Sequence, residues 1–263
     1  MPSSADRVIA VLRSRHDALA DLVAGLSADD LARPTGASEW DVSQVLSHMG
    51  SGAEISLAIL EASITGTEAP GGDFNRSVWA RWDGATREER AANVIPANEA
   101  LVKRYESLTD DERETVRVTY GWMPAPVDIR ASATMRLSEF ALHSWDVAVA
   151  FDPAATVAPD AAPLLLDQLG FMIGSLAKPD RLDGKSAALA VELTDADTRF
   201  GLVLGPDAAT GDVPATPDGT LRLPTESWLR LVSGRLKPPY VPSSVSVDGP
   251  LSLDDLHRVF PGF

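Results

Sequence analysis

The stretch Ile129–Ala150, IRASATMRLSEFALHSWDVAVA, decides how the N-terminal half folds. It is long and apolar enough for a buried helix, yet Arg136, Glu139, His143 and Asp146 recur along it in steps of three, four and three. That spacing places all four on one helical face. Their neighbours include Leu137, Phe140, Ala141, Leu142, Trp145 and Val147, so the polar stripe lies within an apolar surface. Such a stripe is costly to bury unless it is paired or bound to something.

Glu139 and His143 are one turn apart, and both side chains can therefore reach one cation. A partner is found upstream. The turn-rich stretch ARPTGASEW is followed by a helix predicted to run to about Ile64, with Val42, Val45, Leu46 and Met49 as its buried face. Ser38 and Asp41 fit a capping box at its start, with Asp in place of the usual Glu or Gln. His48 lies beside Val45 and Met49, at the edge of that face. Two histidines and one carboxylate form a three-ligand set that leaves a coordination position open, as a catalytic metal requires. The residues alone leave two plainer readings open: an Arg136–Glu139 helical ion pair, and a buried His143–Asp146 pair.

Two further helices complete the half. Ile9, Leu12, His16, Leu19, Val23 and Leu26 repeat in steps of three and four, which predicts a first amphipathic helix. Another helical region is expected over 87–108, interrupted or kinked at Pro96. TGTEAPGGD reads as a loop, and TVRVTYGWMPAPVD is too rich in proline and β-formers for a simple helix. Four long helices with one extended connection predict a four-helix bundle.

Composition changes at FDPAATVAPDAAP, which reads as a linker between domains at 1–153 and 154–263. Beyond it APLLLDQLGFMIGSLA predicts a helix, while AALAVELT, RFGLVLG and SVSVDG predict strands. TESWLRLVSGRL and LSLDDLHRVF predict short helices, so this half reads as a small α+β domain.

The bulk composition narrows the functions. The chain has 263 residues, 44% of them hydrophobic, and a formal charge of −15. An acidic surface of this kind repels a phosphate backbone, which argues against nucleic acid as a partner. A small anionic substrate is still allowed, because a local arginine outweighs distant, screened surface charge. There are no cysteines, so disulfides and thiolate ligands are excluded and any catalytic thiol must come from a bound molecule. No apolar run reaches the length of a signal core or a membrane span, and a cytoplasmic, non-membrane protein is expected.

At Glu39-Trp40-Asp41-Val42, Val45-Leu46-Ser47-His48-Met49, Met135-Arg136-Leu137-Ser138-Glu139 and His143-Ser144-Trp145-Asp146-Val147-Ala148 the sequence resembles the mycothiol-dependent maleylpyruvate isomerase family. That family lies within the DinB-like metalloenzyme superfamily of four-helix bundles. The resemblance implies that His48, Glu139 and His143 bind a divalent metal, zinc in the family. It also implies an α+β protein, with a DinB-like bundle followed by a small sterol-carrier-protein-like domain. In that second domain it rests on Trp228-Leu229 through Gly234-Arg235, and on Val247-Asp248-Gly249 to Phe260-Pro261-Gly262.

The family's active-site arginine corresponds best to Arg235, implied here as a catalytic and mycothiol-binding residue. A plainer role for it is to balance a helix dipole just after Gly234. Arg76, in DFNRSVWARW, is a weaker candidate for holding a substrate carboxylate and fits a surface position. Asp146 is expected to orient a ligand histidine. His16 lies on the first helix's apolar stripe and is either a further pocket residue or a buried core histidine. No role is expected for His257.

The implied reaction adds a metal-activated mycothiol thiolate to the double bond of an unsaturated diacid, lets the resulting single bond rotate, and eliminates the trans isomer. The same motifs also fit a mycothiol S-transferase that conjugates electrophiles, a hydrolase using metal-bound water, and a non-heme iron centre. A small-ligand binding protein is the alternative of another class.

Overall fold

The computed structural model describes residues 4–262. The chain divides into two compact units, Met1–Phe151 and Asp152–Phe263. The first is helical and the second is built on a sheet. No helix among the described residues is long and apolar enough to cross a membrane.

In the first unit α1 (Ser4–Ala24) buries Ile9, Leu12, His16 and Leu19 of the predicted stripe, together with Val8; Val23 is half-buried and Leu26 lies beyond the helix end. Residues 1–3 of the charged N-terminal stretch lie outside the described residues. Helix α2 (Val42–Thr65) buries Val42, Val45, Leu46 and Met49. Its capping box lies three residues later than the sequence reading placed it. Asp41 is itself the cap and accepts from the Gln44 N–H, while the Gln44 side chain accepts from the Asp41 N–H. Gln at N3 therefore satisfies the usual rule, and Ser38 takes no part in the box.

The loop after α2 ends sooner than its composition suggests, because DFNRSVWARWD forms a helix, α3 (Gly72–Asp83). Only Val78 and Trp82 of α3 are buried, one turn apart, which leaves little periodic signal. Trp82 anchors it to α2 by donating its indole N–H to Glu54 Oε1 at 2.9 Å.

Helix α4 (Arg87–Glu106) runs through Pro96 without interruption, contrary to the expected break. Proline removes one hydrogen bond, to the carbonyl of Ala92. Both Ala92 and Pro96 are exposed, so water can take that carbonyl. The short α5 (Asp110–Thr115) follows, and the proline-rich stretch forms a two-residue antiparallel pair of β1 (Arg117–Val118) and β2 (Val127–Asp128). Helix α6 (Ile129–Ala148) is the buried helix of the opening stretch. It packs against α1 and α2, and α2 packs in turn against α3 and α4.

In the second unit α7 (Ala162–Leu176) precedes five strands: β3 (Ala187–Leu193), β4 (Thr198–Leu204), β5 (Ala208–Gly211), β6 (Gly219–Leu223) and β7 (Ser246–Asp248). They form one sheet in the order β5-β4-β3-β6-β7. All neighbours are antiparallel except β3 and β6, which pair in parallel with Val191 opposite Leu221 and Leu193 opposite Leu223. Strands β5 and β6 escape the sequence reading. In β6 just Leu221 and Leu223 are fully buried, and turn formers precede them. Helix α8 (Thr225–Val232) makes the crossover from β6 to β7 and packs Trp228 edge-on against Phe200 of β4, at 5.0 Å between ring centres. Helix α9 (Leu253–Val259) closes the unit.

Asp41 joins the α2 cap to α4 by accepting from Arg87 at 2.9 Å. Burial alone would push its carboxyl up, but the bonds from Ser43, the Gln44 N–H and Arg87 outweigh this and hold it below its ordinary value. Replacing it, Asp41→Ala, should cost about 1–2 kcal/mol of stability at neutral pH in urea unfolding. A carboxyl depressed in the folded state contributes fully above its unfolded value and loses that contribution as pH falls through the folded one. The gap between wild type and variant should therefore narrow below about pH 4.

Candidate metal centre

The polar face of α6 meets α2 where His48 projects. His48 Nε2 lies 2.9 Å from Glu139 Oε2, and His143 Nε2 lies 3.6 Å from the same oxygen. All three donor atoms fall within 4.8 Å of one another. Two imidazoles and one carboxylate oxygen at the vertices of a tetrahedral zinc site stand about 3.3–3.6 Å apart, given bonds of about 2.0–2.2 Å. The three side chains therefore fit a divalent ion with little movement. Among the described residues this is the one cluster of three such groups able to share an ion.

Exposure rises across the trio. The His143 side chain is 12% exposed, His48 37% and Glu139 51%. The donors are partly open to solvent rather than sealed in a closed core, which suits a metal that also takes an outside ligand. Protein atoms crowd Glu139 from behind, and this burial alone would push its carboxyl up. The His143 and His48 imidazoles beside it overcome this and hold the carboxyl well below the usual carboxylate range, so Glu139 is an anion at neutral pH.

Asp146, fully buried, accepts from His143 Nδ1 at 2.9 Å. A carboxylate at Nδ1 selects the tautomer whose Nε2 lone pair faces Glu139 and His48, the form a metal requires. Asp146 is held by the loop before α2. The Gly36 N–H donates to the Asp146 carbonyl at 3.0 Å. A Cβ at Gly36 would stand 2.5 Å from the Trp145 ring and 2.9 Å from Asp146 Oδ1, so the loop comes this close only as glycine.

Trp40, one residue before the Asp41 cap, packs its ring 5.2 Å from that of His48 and 6.1 Å from that of His143. It forms an apolar wall against both ligands. The sequence reading included it only within a motif, since a half-buried tryptophan next to a helix cap does not announce what it covers.

Arg136 is not the ion-pair partner of Glu139. Its guanidinium donates to the Met49 carbonyl and to Asn98. Asn98 was also missed, although a polar residue among buried Val94, Leu101, Val102 and Tyr105 on α4 is a signal in itself.

The remaining candidates lie elsewhere. His16 is buried between helices, near Arg13, Asp17 and the Ile95 carbonyl, and is not part of the ligand cluster. Arg76 is exposed on α3 and pairs with Asp73. Arg235 belongs to the second unit, where it follows Gly234 at the end of α8 and donates to the Ser233 carbonyl at 3.2 Å. That bond places its charge at the helix C-terminus, where a cation is favoured.

Comparison with known proteins gives three results. Residues 12–148, more than half of the chain, match the model of the mycothiol maleylpyruvate isomerase N-terminal domain. No curated protein matches the sequence. The solved structures that resemble the chain include one of the mycothiol-dependent maleylpyruvate isomerase and one of a histidine-to-alanine mutant of it. Each is 13% identical with a TM-score of 0.65, covering 96% of this chain and 95% of the other. At that identity the likeness shows a shared fold.

The hydrogen bond beneath His143 can be tested directly. Asp146→Asn keeps the shape but offers Nδ1 a neutral amide, and should weaken zinc binding about 10–100-fold in a competition titration with a chelating dye. Unchanged affinity would show that Asp146 does not orient the ligand.

Proposed function

We propose, from the premise that the chain belongs to the mycothiol maleylpyruvate isomerase N-terminal domain family, that it is a mycothiol-dependent metalloenzyme. It isomerises maleylpyruvate or a closely similar unsaturated diacid. The observation that carries this reading is the convergence of His48, Glu139 and His143 from two helices onto one point, with a side open to solvent.

In this reading the three side chains hold a divalent metal, zinc by preference for such a donor set. When bound, the ion lowers the pKa of a thiol at its open position, which supplies the nucleophile at neutral pH. The chain contains no cysteine, so that sulfur has to come from outside, in keeping with a mycothiol requirement.

The chain's own residues have distinct tasks. Glu139 contributes the one negative charge among the ligands, and His48 and His143 contribute neutral nitrogens. Asp146 keeps His143 in the tautomer that binds metal. Trp40 keeps water from the faces of the two imidazoles. Arg235 is assigned to a substrate carboxylate and to the thiol cofactor on the strength of the motif around Gly234, since a guanidinium grips carboxylates with parallel hydrogen bonds.

The test is an assay of maleylpyruvate isomerisation by zinc-loaded protein with and without mycothiol. The trans isomer should form only when both metal and thiol are present. His48→Ala should lower kcat/KM by about 100-fold or more by removing a metal ligand. Accumulation of a thiol conjugate without isomer would overturn the isomerase reading in favour of an S-transferase. Turnover with metal and no thiol would overturn thiol dependence altogether.

Arg235→Leu should lower kcat/KM about 10–100-fold, the loss expected for a charge-assisted hydrogen bond. Zinc content should be unchanged. Unaltered kinetics would leave Arg235 with its helix-end role alone.

A further inference from the structure

Helix α8 ends on a Schellman motif whose last member is Arg235. Gly234 takes a φ of +73°, and the Arg235 N–H bonds back to the Arg230 carbonyl at 2.6 Å. The Leu236 N–H donates to the same carbonyl at 3.0 Å. The far end of the segment is held by the same residue. The Arg230 guanidinium donates to the Tyr240 carbonyl at 2.8 Å and grips both oxygens of Glu226, at 2.7 and 2.8 Å. Arg230 is 1% exposed, and a buried ion pair of this kind adds little net stability. Its evident effect is geometric: residues 235–240 are tied at both ends to one immobile side chain.

A second restraint comes from the stretch after α9. A Cβ at Gly234 would fall on the nitrogen and Cα of Gly262 and stand 2.6 Å from the Pro261 carbonyl carbon. Gly262 itself takes a φ of +83°, and a Cβ there would stand 3.2 Å from the Ser233 carbonyl oxygen. Lys237 Nζ donates to the Pro261 carbonyl at 2.8 Å. A Schellman ending asks only for a glycine at Gly234. A second backbone laid across that glycine is no part of the requirement, and it bears on the residue that sets the direction of Arg235. The Arg235 side chain, between these two fixed backbones, remains only half-buried.

We propose that the contact of Gly234 with Pro261–Gly262 is a clamp that positions Arg235, so that its guanidinium meets a carboxylate already aimed. Gly234 and Gly262 are then positioning residues, and Arg235 is the group that they act through. The carboxylate's being that of the substrate rests on the function proposed above. The clamp itself rests on the backbone geometry.

The experiment combines amide hydrogen exchange with steady-state kinetics of zinc-loaded protein supplied with mycothiol. In wild type the Arg235 and Leu236 amides should exchange slowly. Gly234→Ala and Gly262→Ala should speed that exchange about 10-fold or more by opening the segment locally. Each should lower kcat/KM for maleylpyruvate about 10–100-fold, the loss that a misplaced group brings. With Arg235→Leu already present neither should lower it further, because residues acting through one group are not additive with its removal. Zinc content should be unchanged throughout. If Gly234→Ala does not fold, Gly262→Ala decides alone, since it leaves the helix ending's own glycine in place. Unaltered exchange or unaltered kcat/KM in Gly262→Ala would overturn the clamp, and so would a loss that multiplies with that of Arg235→Leu. Wild-type kinetics in Arg235→Leu would overturn the role assigned to Arg235 and its positioning with it. Slow exchange in wild type and fast exchange in the glycine variants, together with no isomerisation by wild type, would overturn only the function proposed above.

Discussion

The first unit is organised by the need to satisfy one polar stripe on a helix that is otherwise apolar. Its members are answered partly by other helices and partly by each other. Arg136 reaches the Met49 carbonyl on α2 and Asn98 on α4. Glu139 meets His48 on α2. His143 and Asp146 answer each other within α6, and the Asp146 backbone carbonyl accepts from the Gly36 N–H. Unpaired, any of these groups would be expensive to bury. The polar contacts therefore set how α2, α4 and the 33–41 loop lie against α6, while the apolar contacts around them supply most of the stabilisation.

This explains which parts of the fold were legible in the sequence. Helices α1, α2 and α6 bury a long run of apolar residues on one side, and α4 does so over its second half, so local pattern reveals them. Glu139 and His143 were legible as a pair because one helix fixes their separation. His48 was legible as a residue at the edge of a buried face, but its meeting with Glu139 depends on how α2 packs, and the family motifs were needed to join them. Helix α3 was not legible, since Trp82 finds its place through Glu54 of another helix and not through any pattern of its own. Strand β6 failed for a similar reason: it pairs in parallel with β3 across an intervening β4 and β5, and no local signal encodes such a pairing.

The site shows the same division. Ligand types and spacings are local properties and survive in the sequence. Environment is not local. Arg136 read as the natural ion-pair partner of Glu139 because i,i+3 pairs of that kind are common on exposed helices. On a buried helix a backbone carbonyl and an asparagine hold it instead, which leaves the Glu139 carboxylate to His48 and His143. Trp40 and Gly36 were hidden for the same reason, because each acts through a neighbour distant in sequence.

The charge balance of the site reconciles an acidic protein with the anionic substrate proposed for it. The net charge of −15 is spread over the surface, where water and salt screen it within about 8–10 Å. At the centre the signs reverse. A divalent ion held by one carboxylate and two neutral imidazoles would keep one positive charge in excess, and Arg136 adds another beside it. Both would lie partly removed from water, where each interaction is stronger than at the surface. Surface repulsion can slow the approach of a diacid but scarcely alters its binding once it is inside. In the function proposed above, a preference for anions would therefore come from the buried face of α6 and not from the bulk composition.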